Sequence, residues 1–389
     1  MALVERALGG GSSAIPAPEV GAPPRRFFTL IDQLRGVAAV LIVYAHLVGN
    51  FLDSVGRQWT PSALIDRFFG QPLQGEVHLG WLAVAVFFFM SGFVITHVAQ
   101  GESTPEFVVK RFLRIYPPVV FAALVAAVIA WCGVLVSGLS AAPGATDVIL
   151  SATLVNFLVP GSLVLIGVGW TLLIEVMFYI LLGVLRPLLS RRPAVVPLAL
   201  LAVCLGAELA MPVLGSAVAV AVVYLAFVPV LTMGQIIYLT VVRRVPVWAG
   251  ALLMAGAWLV YVFGMQRANP GLALPTSAYF ANVALAGAVF VIAVLAEGRV
   301  KPLAVLAVIS RRSLSLYLLH VPVGFTILTA LVVGAHWAYT AALAVALVST
   351  AAATELSYRF VEVPSLRLGR WISQRIRHRE SIAPVEGAV

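Results

Sequence analysis

Residues 28–50 read FTLIDQLRGVAAVLIVYAHLVGN. As a helix this stretch rises about 35 Å, enough to cross the roughly 30 Å hydrocarbon core of a bilayer. Only Asp32, Arg35 and His46 in it can carry a charge near neutral pH. Lipid offers no partner to a backbone N–H or C=O, so a crossing segment of this kind must be helical. The rest of the chain extends the argument. Of 389 residues, 61% are apolar and only 11% charged, against about a quarter charged in a typical soluble domain. Mean hydropathy is +1.03. A soluble protein of this size has too little interior to hide so much apolar side chain, which excludes a soluble globular enzyme and a disordered chain. The fold class is therefore an all-α polytopic membrane protein.

Further apolar runs suggest spans at about 78–99, 116–138, 165–187, 194–212, 217–242, 247–265, 275–297, 308–333 and 337–360, making ten transmembrane helices. A shorter run, 146–160, holds Asn156 and Pro160 and reads as re-entrant or interfacial. With ten spans and both termini cytoplasmic, 21 of the 25 Lys and Arg residues fall inside and three, Arg57, Arg67 and Arg267, fall outside. The last, Arg35, lies within the first span. An eleventh span at 146–160 would scatter these charges to both sides, so the positive-inside rule favours ten. The formal charge of +9 thus speaks of orientation and not of nucleic acid. Residues 1–26, rich in Gly and Pro, read as a disordered cytoplasmic tail, 27–364 as the membrane domain, and 365–389 as a basic tail. In that tail, basic residues alternate with Leu368, Trp371 and Ile372, as in an amphipathic helix lying on anionic lipid. Cys132 and Cys204 suggest neither a disulfide framework nor a metal site, and no metal is expected.

Ionisable groups inside spans are costly and mark candidate sites. Arg35 and His46 lie 11 residues apart, three turns plus about 20°, so both project from one face with a rise of about 16 Å between them. Asp32, Ala39 and Ile42 share that stripe. A cation low and an imidazole high on one face suggest a route through the protein, although helix–helix hydrogen bonding would also account for them. Ser91-Gly92 in the second span allows close approach of another helix. Arg111 and Arg114, at i and i+3, suit a bidentate phosphate or pyrophosphate contact, or simple anchoring at the cytoplasmic boundary. Glu175 must be protonated, paired or hydrogen-bonded. Ser313, Tyr317, His320, Glu355 and Glu362 are further polar groups in the later spans.

The ordered set of motifs resembles the acyltransferase-3 family of integral-membrane acyltransferases. It comprises Asp32-x-x-Arg35-Gly36-x-Ala38-Ala39 with His46, Phe87-Phe88-x-x-Ser91-Gly92-Phe93, Arg111-x-x-Arg114-Ile-Tyr-Pro117, Trp170-x-x-x-x-Glu175-x-x-Phe178-Tyr179, Tyr317-Leu-x-His320-x-Pro322 and Glu362-x-Pro364. Gln33 and Lys110 are small departures. The resemblance implies transfer of an acyl group, usually acetyl, from acyl-CoA to a hydroxyl of a carbohydrate or other metabolite. It makes His46 the expected catalytic residue, with Arg35, and makes Arg35, Arg111 and Arg114 the expected acyl-CoA contacts. Asp32, Glu175, Tyr317, His320 and Glu362 become supporting polar groups. The expected setting is a bacterial inner membrane, with membrane lipid and a hydroxyl-bearing acceptor as partners.

On this reading the donor phosphates meet Arg111 and Arg114 and the pantetheine arm passes Arg35 to bring the thioester to His46. That imidazole is then either general base or acyl acceptor. Tyr317 or Ser313 is a candidate donor to the oxyanion. The competing class is a transporter or flippase using the same groups for coupling, against which the chain shows no repeat symmetry. The acceptor is not legible; the outer loops at about 51–77 and 139–164 are where it would bind.

Overall fold

The computed structural model describes residues 28–71, 78–133, 142–268 and 276–382, so the expected tail 1–26 lies outside the described residues. Every regular element among them is helical. Ten helices are long and apolar enough to cross a membrane: α1 Thr29–Ser54, α2 Gly80–Gln100, α3 Thr104–Trp131, α4 Gly167–Arg191, α5 Val195–Val213, α6 Val218–Val241, α7 Val247–Ala268, α8 Thr276–Leu295, α9 Ser313–Gly334 and α10 Tyr339–His378. The stretch at 146–160 forms the eight-residue helix Ala145–Ala152 and a single 3₁₀ turn, too short to cross.

Two boundaries differ from the pattern of apolar runs. α3 starts at Thr104 rather than near 116, so Lys110, Arg111 and Arg114 lie within it. The cause is local: the Ser103 N–H donates to Glu106 Oε2 at 2.9 Å, one half of a capping box, and Pro105 occupies the first turn. α10 does not stop near 360. It continues through a π-turn at Tyr358–Glu362 into the helix Val363–Ile382, which runs antiparallel along the foot of α3. Gly369 faces Leu113 and Lys110, and Arg377 bonds Glu106 at 2.5 Å. Leu368 and Trp371 remain exposed on its other side.

α2 is the hub. Its contact with α6 is built on two glycines that face each other's backbone. A Cβ on Gly92 would lie 1.7 Å from the carbonyl oxygen of Leu231, and one on Gly234 would lie 2.1 Å from that of Phe89. Small residues are what let helices pack in lipid, where burial of apolar surface gives little drive. A similar contact sets α1 against the short helix Ala304–Arg311, where a Cβ on Gly36 would lie 2.7 Å from the carbonyl oxygen of Leu306. At the N-terminal end of α2, Trp81 packs on Trp170, Phe227 and Tyr279 at 4.4–5.5 Å between ring centres.

Gly92→Ala or Gly234→Ala should cost at least the roughly 1–3 kcal/mol of an overpacked core, read as a lowered thermal midpoint or loss of folded protein in detergent. Gly206→Ala, at a position with open space around it, should change stability by less than about 0.5 kcal/mol.

Candidate active site

The central feature is a pair of imidazoles. His46 of α1 and His320 of α9 meet edge to face, with ring centres 4.9 Å apart. His46 Nδ1 lies 3.0 Å from the carbonyl oxygen of Ile42, and His320 Nδ1 lies 3.2 Å from that of Leu316. A carbonyl oxygen only accepts, so each Nδ1 carries the proton and each Nε2 carries a lone pair. His320 is fully buried and its Nε2 has no partner among the described residues; His46 is partly accessible.

Both histidines stand where the helix widens. His46 lies in the π-turn Ala45–Asn50 and His320 opens the π-turn His320–Phe325. Glu362 ends a third, Tyr358–Glu362. Such turns insert a residue into the α-helical ladder and recur at functional sites. Pro322 and Pro364 each follow the polar residue by two positions and remove a backbone donor, a local cause of the widened register. Their spacing was the sequence signal for these turns, and sequence reasoning missed it.

Below the histidines, a pocket of about 80 Å³ is lined by Arg35, Ser91, Arg114, Thr171, Glu175, Ser313 and Tyr317, among others. Glu175 resolves its buried position by hydrogen bonding: it accepts from Ser91 Oγ at 2.8 Å and from the Tyr179 hydroxyl. Asp32 lies 3.5 Å from Arg35 and accepts from Ser310 Oγ at 2.7 Å. Glu362 accepts from Ser315 Oγ at 2.6 Å. Tyr317 joins the two halves of the site, for its ring lies 5.9 Å from that of His320 while its hydroxyl borders the pocket. That hydroxyl bonds Thr171 Oγ1 at 2.7 Å and the Val168 carbonyl at 2.9 Å, so its proton is committed within the protein.

The two arginines expected to act as one clamp are separated in role. Arg114 lines the pocket and makes no ion pair among the described residues. Arg111 lies 3.6 Å from Glu102, which also takes Lys110 at 3.0 Å, and its guanidinium sits over the Phe107 ring. Arg35 and Arg114 therefore converge, while Arg111 stands at the edge. Glu355 is held by Arg312 and Arg359, and His97 by the Tyr238 hydroxyl at 3.1 Å.

A further polar cluster joins the C-terminal end of α1 to the segment that follows it. His78 Nε2 bonds Asp53 Oδ2 at 2.8 Å, and its Nδ1 lies 3.4 Å from Asp66 Oδ1, close enough for an ion pair but not aligned as a hydrogen bond. Burial pushes the Asp66 carboxyl above its ordinary range against the opposing pull of His78. The His78 ring covers Gly49, one turn beyond His46, where any Cβ would come within 2.0 Å of it.

Fold and site thus define a polytopic membrane protein with paired histidines above an arginine-lined pocket. A family model described as an acyltransferase domain, that of acyltransferase-3, matches residues 28–355, and the chain belongs to this family. A curated relative, "Protein 2 in picA locus" of Rhizobium radiobacter, is 38% identical over 112 residues, covering 27% of this chain and 47% of that protein. The chain thus spans about half the length of that relative. No solved structure matches.

Ser91→Ala and Tyr179→Phe each remove a donor to the Glu175 carboxylate. Each should lower unfolding free energy by about 1–3 kcal/mol, measured as a loss in thermal midpoint.

Proposed function

We propose that the protein is a membrane O-acyltransferase of the bacterial cytoplasmic membrane. It moves an acyl group, acetyl in the first instance, from acyl-CoA to a hydroxyl of a carbohydrate or glycosylated metabolite. The observation that carries this reading is the His46–His320 pair, two imidazoles with Nε2 lone pairs at one end of a site whose other end presents Arg35 and Arg114.

The inside bias of Lys and Arg orients the foot of α1 and the start of α3 toward the cytoplasm, where acyl-CoA is made. The residues present suit the donor. Arg114, free of a carboxylate partner, and Arg35 beside it offer guanidinium forks to phosphate. The rise of about 16 Å from Arg35 to His46 lies within the reach of an extended pantetheine arm. Acyl-CoA supplies the activated carbonyl; the protein positions it and moves the proton. His46, the more accessible imidazole, takes the acceptor hydroxyl proton on Nε2 as that oxygen bonds to the thioester carbon. The same nitrogen returns the proton to the departing sulfur as the C–S bond breaks, so the products are an ester and free thiol. The Ile42 carbonyl holds the Nδ1 proton and stabilises the charged ring in between. Arg111, already engaged by Glu102, contributes at the mouth.

His46→Ala should reduce acetyl transfer from labelled acetyl-CoA by about 10²–10⁴-fold in membranes with equal amounts of folded protein. Wild-type turnover in that variant would refute the assignment. Arg114→Ala should weaken acetyl-CoA binding by about ten- to a hundredfold, the loss of one charge-assisted contact, and Arg111→Ala should weaken it less. Equilibrium binding to purified protein measures both.

A further inference from the structure

A second pocket, of about 300 Å³, opens at the foot of α1 between that helix and the segment 302–311. Its volume is at the lower end of the range for ligand sites. It is built and not incidental: Gly36 brings the Ala304–Arg311 helix against α1, and Ser310 ties that helix to Asp32 at 2.7 Å. Phe28 and Ala307 give it apolar walls, and Arg311, which makes no ion pair among the described residues, stands on its rim. Gln33 lines it while only 6% exposed, and the Gln33 Nε2 is buried with no hydrogen-bond partner among the described residues.

An amide donor buried without a partner leaves a desolvation cost of about 1–3 kcal/mol that a ligand acceptor would remove. The polar groups here do not favour a phosphate. Asp32 is acidic, and the first N–H groups of α1 are taken by Glu297, which accepts from Thr29 N at 2.8 Å and Leu30 N at 2.9 Å. What the pocket offers is a flat apolar slot edged by one N–H donor and one carboxylate acceptor. A purine edge with a ring-nitrogen acceptor beside an exocyclic amine is the complement of that pair, and side-chain amides read adenine in this way. The pocket also lies next to the donor path, since Asp32 borders it and pairs with Arg35, which lines the pocket above.

We infer that this pocket seats the adenine ring of acyl-CoA, with Gln33 donating to a ring nitrogen and Asp32 accepting from the exocyclic amine. Arg311 and Arg35 then flank the phosphates. The inference rests on the donor reading above and specifies which part of the donor is held where.

The test compares equilibrium binding of acetyl-CoA with that of S-acetyl-4′-phosphopantetheine, which lacks the adenosine end, to full-length protein in nanodiscs. Gln33→Leu removes the amide and Ala307→Phe fills the slot by an independent route. Each should weaken acetyl-CoA about tenfold, the equivalent of about 1.4 kcal/mol, and change binding of the truncated thioester by less than about twofold. Adenosine 3′,5′-bisphosphate should compete with acetyl-CoA on the wild type and lose that ability in both variants. Equal effects on the two thioesters, or none, in both variants would overturn the inference and leave the donor reading standing. Binding of neither thioester by the wild type would overturn both.

Discussion

Two imidazole rings in contact inside an apolar bundle set the terms for everything around them. A buried ring nitrogen without a partner is costly, and two protonated rings side by side cost more. The structure meets the first demand at Nδ1, which each ring points at a carbonyl of its own helix four residues earlier, and leaves His320 Nε2 buried without a partner among the described residues. This fixes the tautomer and turns the two Nε2 atoms outward from their backbones. Both rings are presented from widened helical turns, and α1 and α9 are brought together at Gly324, which packs against Leu47 and Thr350. The reactive geometry therefore depends on backbone irregularity held in place by ordinary packing.

The other polar groups follow one economy. Glu175, Glu362 and Asp32 each accept from a serine hydroxyl on a neighbouring helix, so the carboxylates the family motifs contain act as cross-links between helices. Tyr317 is used in the same way and spends its hydroxyl on Val168 and Thr171. Among the described residues, Arg114 has no ion-pair partner beside Arg35 at the pocket.

Much of this was legible from the residues. Ten apolar runs became ten helices because length and hydropathy are strong signals in lipid. The shared stripe of Arg35 and His46 follows from helical geometry, and Gly92 makes the close contact its neighbourhood suggested. Three features were not legible as read. The contact of His46 with His320 depends on tertiary packing of helices far apart in the chain. The separation of Arg111 from Arg114 depends on Glu102, which the reading of charge alone passed over. The early start of α3 was written in Ser103-Thr-Pro-Glu106 and was outweighed by the search for continuous apolar residues. Of the π-turns at the site, those at His320 and Glu362 leave a trace in Pro322 and Pro364, and the one at His46 leaves none.

The most direct measurement of whether a thioester reaches His46 is affinity labelling with bromoacetyl-CoA, whose electrophilic carbon sits beside the thioester carbonyl. Digestion and mass spectrometry should find the adduct on the imidazole of His46, suppressed by excess acetyl-CoA. Labelling confined to residues outside α1 and α9, or a His46 adduct that acetyl-CoA does not suppress, would contradict the account.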